Sequence, residues 1–421
     1  MTDRDLTALL ERATEDVVER DFAENAWAAA LAARRHRRRT LLTGVGAVAV
    51  AALAVTAVQL GGADHPKPTP ATSSTTSTTG GTLSDGTAYA VMPQEGTEGQ
   101  LRDFDAGLPS TIDVRARAEA FSAARPPGSV VAVYLRADGD DLLHPVLVAG
   151  DGRHVLMGDV DLVRTTDASG NEATPLGPRA VGGGGRYVVF PQRDHVLRLD
   201  AQTGDTVSYP VPAQHVEWAG WNAAGTRIVA RASEGAWSID PSTSRAEAVP
   251  VVGGYEGTFR VTATDALPSD VRVTRFDEDG RPLMSTPVRG PTWSLWGETV
   301  NTETLAATGA FFDQNVTSKV IRRGYGPIYQ GLLVVEPSSG AAKVLLAPEN
   351  PDGQTGRVKG CCTVLGWADA DTVLFQSLGS HGRWVLAWKT TTGEVFEVAR
   401  ITTSAPDDPV TPIALNVGRR S

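Results

Sequence analysis

Two different patterns of hydrophobic positions divide this chain of 421 residues. Residues 41–60 form an uninterrupted stretch of twenty residues without an ionisable side chain. As an α-helix, a stretch of that length matches the roughly 30 Å hydrocarbon core of a bilayer. From residue 83 onward, short runs rich in β-branched and aromatic residues are separated by Gly, Asp, Asn and Pro. Such runs are typical of β-strands joined by turns, so the sequence predicts a membrane helix followed by an all-β domain.

Basic residues lie on only one side of the apolar stretch. Five arginines occur between Arg34 and Arg39, and the next lysine or arginine after the stretch is Lys67. Because positively charged flanks stay on the cytoplasmic side, we expect residues 1–39 in the cytoplasm and the C-terminal part outside. The alternatives are a cleaved signal peptide and a buried core helix, but no small-residue cleavage site follows and the stretch is uniformly apolar. We therefore predict a signal-anchor, a single-pass transmembrane helix at residues 40–60, and a location in the cell membrane.

Residues 1–39 have the pattern of an amphipathic helix. Leucine, alanine and valine recur at spacings of three and four, and charged residues occupy the other face. A short helix cannot bury its own apolar face, so this face needs another protein, a second copy or the membrane surface. The residues assigned to this partner-helix face are Leu6, Leu10, Ala13 and Val17.

The same segment resembles the small cytoplasmic heads of actinobacterial single-pass proteins, some of which are anti-sigma factors or sigma-linked regulators. The resemblance rests on Asp5-Leu6 and on Leu9–Thr14, followed by the arginine cluster. It implies a cytoplasmic regulatory protein as the partner of residues 1–39. The zinc-binding His and Cys pattern of one anti-sigma class is absent, since His36 is the only such residue in the segment. The alternative is a solvated targeting segment.

Residues 61–82 differ in composition from both neighbours. Threonine, serine and proline dominate, and no apolar cluster could form a core. Such composition is typical of extended linkers. We predict a stalk that holds the following domain away from the bilayer.

One hairpin pattern recurs along the β-rich part. A strand ends in Asp200 and turns through Thr203-Gly204, and another ends in Asp240, forty residues later, and turns through Pro-Ser-Thr-Ser. Looser copies occur at 149–152, 276–280, 336–340 and 389–393. A tryptophan-containing element, Trp221–Gly225 and again Gly366–Asp371, precedes two of the turns. The pattern therefore predicts a repeated supersecondary unit.

These repeats resemble the WD40-like and TolB-like β-propellers. The hairpin Asp200–Gly204 and the element Trp221–Gly225 carry the resemblance, and roughly 40–50 residues is the size of one propeller blade. The resemblance implies that residues 83–421 form an all-β, extracytoplasmic β-propeller; the turns favour six blades, with five or seven left open. A strand from residues 86–92 or 412–417 would close the ring. The Gly-His and Trp-Asp signatures of WD40 repeats are missing, so that family's binding surface is not carried over.

The β-rich part contains no convincing catalytic constellation. It has no His-Glu-x-x-His or Gly-x-Ser-x-Gly motif, and its acidic loops lack the pattern of a calcium loop. We therefore assign no catalytic, metal-binding or cofactor-binding residue. The net charge of −10 lies outside residues 1–39, because that segment holds eight acidic side chains and eight arginines. This balance disfavours nucleic acid as a partner.

Two pairs of residues stand out as candidates for function. Trp293 and Trp296 lie in an irregular stretch, and aromatic residues exposed at one mouth of a propeller would suit a glycan or a peptide. Cys361 and Cys362 are the only cysteines. As direct neighbours, they form either a strained vicinal disulfide or two small packed side chains.

These features favour a non-enzymatic binding or sensing module outside the membrane, whose ligand is an envelope protein or glycan. The cytoplasmic segment would connect it to a regulator. One alternative is a cell-envelope enzyme, a lyase or glycan hydrolase with its site in the propeller channel. In that case His195, His215 and Arg186 are the residues to substitute. The other alternative is a non-catalytic cell-wall scaffold.

Overall fold

The computed structural model describes residues 80–138, 142–166, 170–222, 224–249, 259–264, 270–276, 282–313, 328–347, 362–379, 382–403 and 413–416. All of them belong to a compact unit that spans residues 72–421. The predicted cytoplasmic segment, transmembrane helix and most of the stalk lie outside the described residues, and they stay predictions. Within the described ranges, no helix is long and apolar enough to cross a membrane.

The first third of the unit contains short strands and then one large sheet. The short elements are β1 (Gly80–Thr82), β2 (Ala88–Val91), the 3-10 turn Glu98–Gln100, β3 (Thr111–Asp113) and β4 (Glu119–Ala120). The sheet that follows, blade 1, contains β5 (Val130–Asp138), β6 (Leu142–Ala149) and β7 (His154–Leu156). A two-stranded ribbon of β8 (Thr165–Thr166) and β9 (Glu172–Ala173) leads to the next sheet.

Two four-stranded sheets and one three-stranded sheet come next. Blade 2 contains β10 (Val181–Gly182), the 3-10 turn Gly183–Gly185, β11 (Tyr187–Pro191), β12 (His195–Asp200) and β13 (Thr206–Pro210). Blade 3 contains β14 (Val216–Trp221), β15 (Ile228–Ala232), β16 (Gly235–Asp240) and β17 (Arg245–Val249). The three-stranded sheet contains β18 (Phe259–Ala263), β19 (Val271–Phe276) and β20 (Pro282–Pro287).

Two further blades and a closing strand complete the chain. Blade 4 contains β21 (Thr292–Asn301), β22 (Ala306–Asp313), β23 (Ile328–Glu336) and β24 (Ala341–Leu346). Blade 5 contains β25 (Thr363–Trp367), β26 (Thr372–Gly379), β27 (Gly382–Lys389) and β28 (Val395–Thr402). The last described strand is β29 (Ala414–Leu415).

The sheets are antiparallel meanders that follow one another around a ring. Hydrophobic clusters fill the space between successive sheets: one spans blades 1, 2 and 3, and others join the three-stranded sheet to blade 4, blade 4 to blade 5, and blade 5 to blade 1. Radial packing of four-stranded sheets is the arrangement of a β-propeller. The all-β prediction and the propeller resemblance are therefore confirmed.

The structure differs from the favoured number of blades. Five sheets in the described part of the chain have at least four strands, fewer than the six favoured by the turns but within the range left open. The sheet β18–β20 has three strands among the described residues. One looser copy of the hairpin begins at Phe276, where β19 ends. The four-stranded or larger sheets among the described residues therefore number five.

The C-terminal segment closes the ring. Strand β29 pairs antiparallel with β5, with Ala414 opposite Val133 and Leu415 opposite Ala132, and becomes the inner edge of blade 1. Of the two segments predicted to close the ring, 412–417 is thus the one that does so. The other, 86–92, contains β2, which pairs parallel with β24 on the outer edge of blade 4.

The repeated hairpins share one hydrogen bond. The amide of Gly204 donates to the carbonyl of Asp200 at 2.8 Å, and the amide of Ser244 donates to the carbonyl of Asp240 at 2.9 Å. The same bond recurs in the hairpins at 336–340 and 389–393. The fifth residue of each turn has a left-handed backbone, with φ of 79° at Gly204 and 58° at Ser244. Glycine adopts this conformation without strain, which explains its recurrence in the sequence.

Residues 80–120, here called the strap, run along the outer edges of three neighbouring blades. Strand β2 pairs parallel with β24 of blade 4, β3 with β28 of blade 5, and β4 with β7 of blade 1. At its centre, Ile112 is fully buried in the cluster between blades 5 and 1. The strap is therefore an integral part of the propeller fold.

Candidate functional site

The central channel contains a cavity of about 140 Å³. Its walls come from all five complete blades, so it lies on the axis of the ring. Its lining includes Arg179, Gly182, Trp221, Asn301, Trp367 and Asn416. Ligand sites of propellers and barrels commonly occupy such concave mouths, and this axial cavity is the candidate site.

Inner strands of the blades converge on the axial cavity at their carboxyl ends. Strand β14 ends at Trp221, β21 at Asn301 and β25 at Trp367, and all three residues line the cavity. Asn416 follows directly after β29 and lines it as well. Because the inner strands run in the same direction around the ring, the same structural position of each blade faces the axis.

Two tryptophans from opposite parts of the ring form apolar walls. Trp367 is 4% exposed, and its indole nitrogen donates to the carbonyl oxygen of Val300 at 2.9 Å. Trp221 is 5% exposed and packs against Gly182, where a Cβ would lie 2.5 Å from the indole. Glycine at position 182 is therefore required for this packing. The sequence repeat that contains both tryptophans, at 221–225 and 366–371, thus marks the axial cavity.

The polar groups of the cavity are mainly amides. The side-chain oxygen of Asn222 accepts bonds from the amides of Thr226 and Arg227 at 2.9 and 3.1 Å, which closes the turn after β14. The side-chain nitrogen of Asn301 donates to the carbonyl of Phe259 at 2.6 Å. These bonds fix the positions of the amide groups at the rim of the cavity.

The buried polar atoms of the lining include a donor and an acceptor that have no hydrogen-bond partner among the described residues. They are the indole nitrogen of Trp221, a donor, and the side-chain oxygen of Asn301, an acceptor. An unsatisfied buried polar atom costs about 1–3 kcal/mol. A small polar molecule, or water, that enters the cavity would remove this cost, so the lining is suited to a ligand that both donates and accepts hydrogen bonds.

Charged groups are scarce in the axial cavity. Arg179 is the only ionisable residue in the described lining, which contains no Asp, Glu, His or Lys. General acid–base catalysis needs a titratable group close to the reacting atoms. The lining therefore offers binding groups but no acid–base pair.

The residues suggested for an envelope enzyme lie away from the axial cavity. His195 contacts Asp194 at 2.7 Å on the surface, and His215 is 3.0 Å from the carbonyl of Thr166. Arg186 donates two hydrogen bonds to Asp200, at 3.0 and 2.8 Å, in the hairpin of blade 2. The structure does not bring these three residues together, and each has a local structural role.

The other candidate residues can be located only in part. Trp293 and Trp296 belong to β21, the inner strand of blade 4, but their side chains lie outside the described part, as do Leu6, Leu10, Ala13 and Val17. Cys362 is fully buried, and its sulfur lies 3.8 Å from the sulfur of Met92. Because Cys361 lies outside the described residues, the vicinal disulfide stays a prediction.

Sequence reasoning missed Asn301, Asn416 and the glycines of the cavity. The signal was present at three strand ends, where an apolar residue is followed by asparagine: Trp221-Asn222, Val300-Asn301 and Leu415-Asn416. The glycines at 183, 184 and 185 all have left-handed φ angles, of 59°, 66° and 90°. A run of four glycines at 182–185 was the signal for a backbone that only glycine adopts easily.

No protein-family model matches the chain, and no curated protein matches it. Several solved structures resemble parts of it. Hydrazine synthase of Kuenenia stuttgartiensis is 12% identical, with 62% of this chain and 77% of that chain covered and a TM-score of 0.40. The β-propeller domain of the Trilobed protease from Pyrococcus furiosus is 10% identical, with 68% and 84% covered and a TM-score of 0.39. BamB from Moraxella catarrhalis is 14% identical, with 69% and 88% covered and a TM-score of 0.31. At these values, the likenesses carry no argument about function.

Proposed function

We propose that this protein is a membrane-anchored binding module whose extracytoplasmic propeller binds a cell-envelope ligand in its axial cavity. The propeller fold and the lining of the cavity support the binding part of the proposal. The apolar stretch at 41–60 and the arginines before it support the anchor. The amphipathic pattern of residues 1–39 supports a link to a cytoplasmic regulator.

The observation that carries the proposal is the chemical character of the axial cavity. Its wall combines two tryptophans, three asparagines and one arginine, with no acidic residue. Aromatic faces and amides suit an uncharged polar ligand such as a glycan or an extended peptide. The absence of an acid–base pair from the described lining favours binding over hydrolysis or elimination.

The binding part is tested with full-length protein in membranes of the native host. Asn416→Trp would fill the mouth of the cavity, whereas Asn171→Trp adds the same side chain near the two-stranded ribbon, away from the cavity. We expect an envelope ligand to be captured by the native chain and by Asn171→Trp, and at least tenfold less by Asn416→Trp. Equal capture by all three chains would place the binding surface elsewhere and contradict the proposal.

The anchor is tested separately by membrane fractionation. Full-length protein should stay in the membrane after alkaline extraction, and protease added to intact cells should remove the propeller but leave residues 1–39. Deletion of 41–60 should release the protein from the membrane. Retention of the deleted chain in the membrane would contradict the proposed anchor.

A further inference from the structure

A second cavity, here called the rim cavity, lies at the outer edge of blades 4 and 5, away from the channel. Its volume is about 360 Å³, within the range of small-molecule sites. The strap forms one wall with β1 and β2, and the hairpin between β27 and β28 forms the other. No residue of the rim cavity belongs to the axial cavity.

The rim cavity contains an unsatisfied hydrogen-bond donor and a positively charged group. Trp388 is 1% exposed, and its indole nitrogen has no hydrogen-bond partner among the described residues. Lys343 is half-buried and donates to the carbonyl oxygen of Thr390 at 2.9 Å. An ammonium group has three N–H donors, so two remain for other acceptors. The wall thus presents an indole donor and a positive charge.

The threonine hydroxyl groups of the cavity add no donors for an anion, because their protons are directed to other acceptors. Thr390 donates to the carbonyl oxygen of Asp371 at 2.9 Å, and Thr391 donates to the Asp371 carboxylate. Thr392 donates to the Glu394 carboxylate at 3.0 Å. These hydrogen bonds fix the threonine side chains. Their oxygens can accept hydrogen bonds but carry no formal negative charge.

The described lining of the rim cavity contains no acidic residue. Two carboxylates that accept from its threonines, Asp371 and Glu394, have further partners. Glu394 forms an ion pair with Arg102, and Asp371 accepts from Thr391 and Thr372. The hydrogen bond from Thr391 helps to hold the pKa of Asp371 below its ordinary value. This carboxylate is therefore ionised at neutral pH and already has hydrogen-bond donors.

We propose that the rim cavity binds a small organic anion. Its oxyanion group, a carboxylate or a phosphate, would meet the Lys343 ammonium, and an acceptor oxygen would take the N–H of Trp388. Ala88 is exposed and supplies an apolar contact for the organic body. Charge-assisted hydrogen bonds of this kind are the stronger ones in proteins.

The position of the cavity gives such a ligand a structural effect. Strand β1 is the first described strand and overlaps the end of the predicted stalk at residues 80–82. An anion bound between this strand and the Thr390–Gly393 turn would fasten the beginning of the strap to blade 5. Occupancy would therefore stiffen the point where the stalk enters the propeller.

The test uses calorimetric titration of the full-length protein in detergent. Glucuronate supplies a carboxylate and glycerol 3-phosphate a phosphate; glucose and glycerol are their uncharged counterparts. We expect at least one anion to bind while its neutral counterpart does not, and the stronger one identifies the oxyanion. Lys343→Gln should weaken binding at least tenfold. Lys389→Gln removes the same charge from the neighbouring blade 5, outside the cavity lining, and should change affinity less than twofold.

Trp388→Phe separates a ligand site from a merely structural cavity. The substitution keeps a ring in the wall and removes the unsatisfied N–H, but it also leaves a void around this buried side chain, so the melting temperature without ligand should fall only modestly. Anion affinity should fall about tenfold. If Trp388→Phe does not fold, Lys343→Gln and its control decide the question.

Three outcomes would overturn the inference: no anion binds, the neutral counterparts bind equally well, or Lys343→Gln binds anions as tightly as the native chain. The Asn416→Trp chain, blocked at the axial cavity, should keep full anion affinity. A failure of the proposed envelope-ligand function is thereby distinguishable from a failure at the rim.

Discussion

The outer edges of the propeller differ between its two halves. In blades 4, 5 and 1, the last strand of each meander pairs with a strap strand. In blades 2 and 3, β13 and β17 are the terminal strands of their sheets among the described residues. Among the five complete blades, the described residues thus show three covered outer edges and two uncovered ones.

The two uncovered edges carry other protective features. Strands β13 and β17 have only five residues each. Proline ends β13, and β17 carries exposed Arg245 and Glu247. Short edges, proline and charge all discourage pairing with another chain. The covered edges need no such features because the strap occupies their hydrogen-bonding groups. The comparison indicates that the strap contributes stability where it lies, and three predictions test this.

The largest effect is expected from a matched pair of truncations. Ile112→Ala removes a fully buried side chain of the strap and should lower the free energy of unfolding by about 2–5 kcal/mol. Val207→Ala, on the uncovered strand β13, removes a half-buried side chain and should cost less than about 1 kcal/mol. Urea unfolding at neutral pH gives both values. Equal losses would show that the strap is no more integrated than an ordinary edge strand.

A smaller effect is expected at the Asp200 hairpin of the uncovered half. Burial alone would raise the pKa of Asp200, but the bonds from Arg186 and the amide of Gln202 outweigh it and hold the pKa below its ordinary value. A lowered pKa contributes stability above the unfolded value, which is lost as the pH falls through the folded value. Asp200→Asn should therefore cost about 1–2 kcal/mol at pH 7 and progressively less in acid.

The control for that prediction is Asp205→Asn, an exposed carboxylate in the same hairpin, which should change stability little at any pH. Unfolding curves between pH 3 and pH 7, chosen as roughly the range in which carboxylates titrate, give the comparison. A pH-independent loss in Asp200→Asn would show that the carboxylate charge contributes nothing beyond the turn geometry.

The smallest effect, of opposite sign, is expected under the strap. Burial, followed by the neighbouring charges of Asp103 and Glu98, raises the pKa of Glu397 despite the opposing charge of Arg400. For a carboxyl group with a raised pKa, stability is full below the unfolded pKa and is lost as the pH rises through the folded one. Glu397→Gln should therefore slightly raise the melting temperature at pH 7 and have no such effect in acid.

Glu394→Gln is the matched control on the same edge. It breaks the ion pair with Arg102, so the melting temperature should fall slightly or stay unchanged at pH 7. If Glu397→Gln instead lowers the melting temperature at neutral pH, charge repulsion of Glu397 by Asp103 and Glu98 does not destabilise the fold. The covered edge would then resemble the uncovered one in its electrostatics.

The repeats show how far the sequence could be interpreted. The hairpins at Asp200 and Asp240 were predictable because the left-handed fifth residue restricts the choice of amino acids within a few positions of the chain. The closing segment 412–417 was predicted only as one of two options, since both candidates are short apolar runs. The strap was not predicted, because β3 and β4 contain three and two residues and carry no periodic pattern.

The axial cavity was predictable only in part. The repeat of Trp221 and Trp367 was visible in the sequence, but not the fact that both face the axis. Asn301 and Asn416 were missed because each is a single polar residue at a strand end, which is also the ordinary composition of a turn. His195 and His215 were suggested because histidine suits acid–base chemistry, but neither residue lines the axial cavity.

The sequence by itself determined the all-β class, the repeated hairpin and the approximate blade length, because these depend on residues within about fifty positions of one another. Only the tertiary structure decided the closure by β29, the pairing of the strap with three blades and the sets of residues that line the two cavities. Each of these joins segments far apart in the chain. Their partners are chosen by which sheet edges and surfaces the folded ring leaves available, and no local pattern encodes that choice.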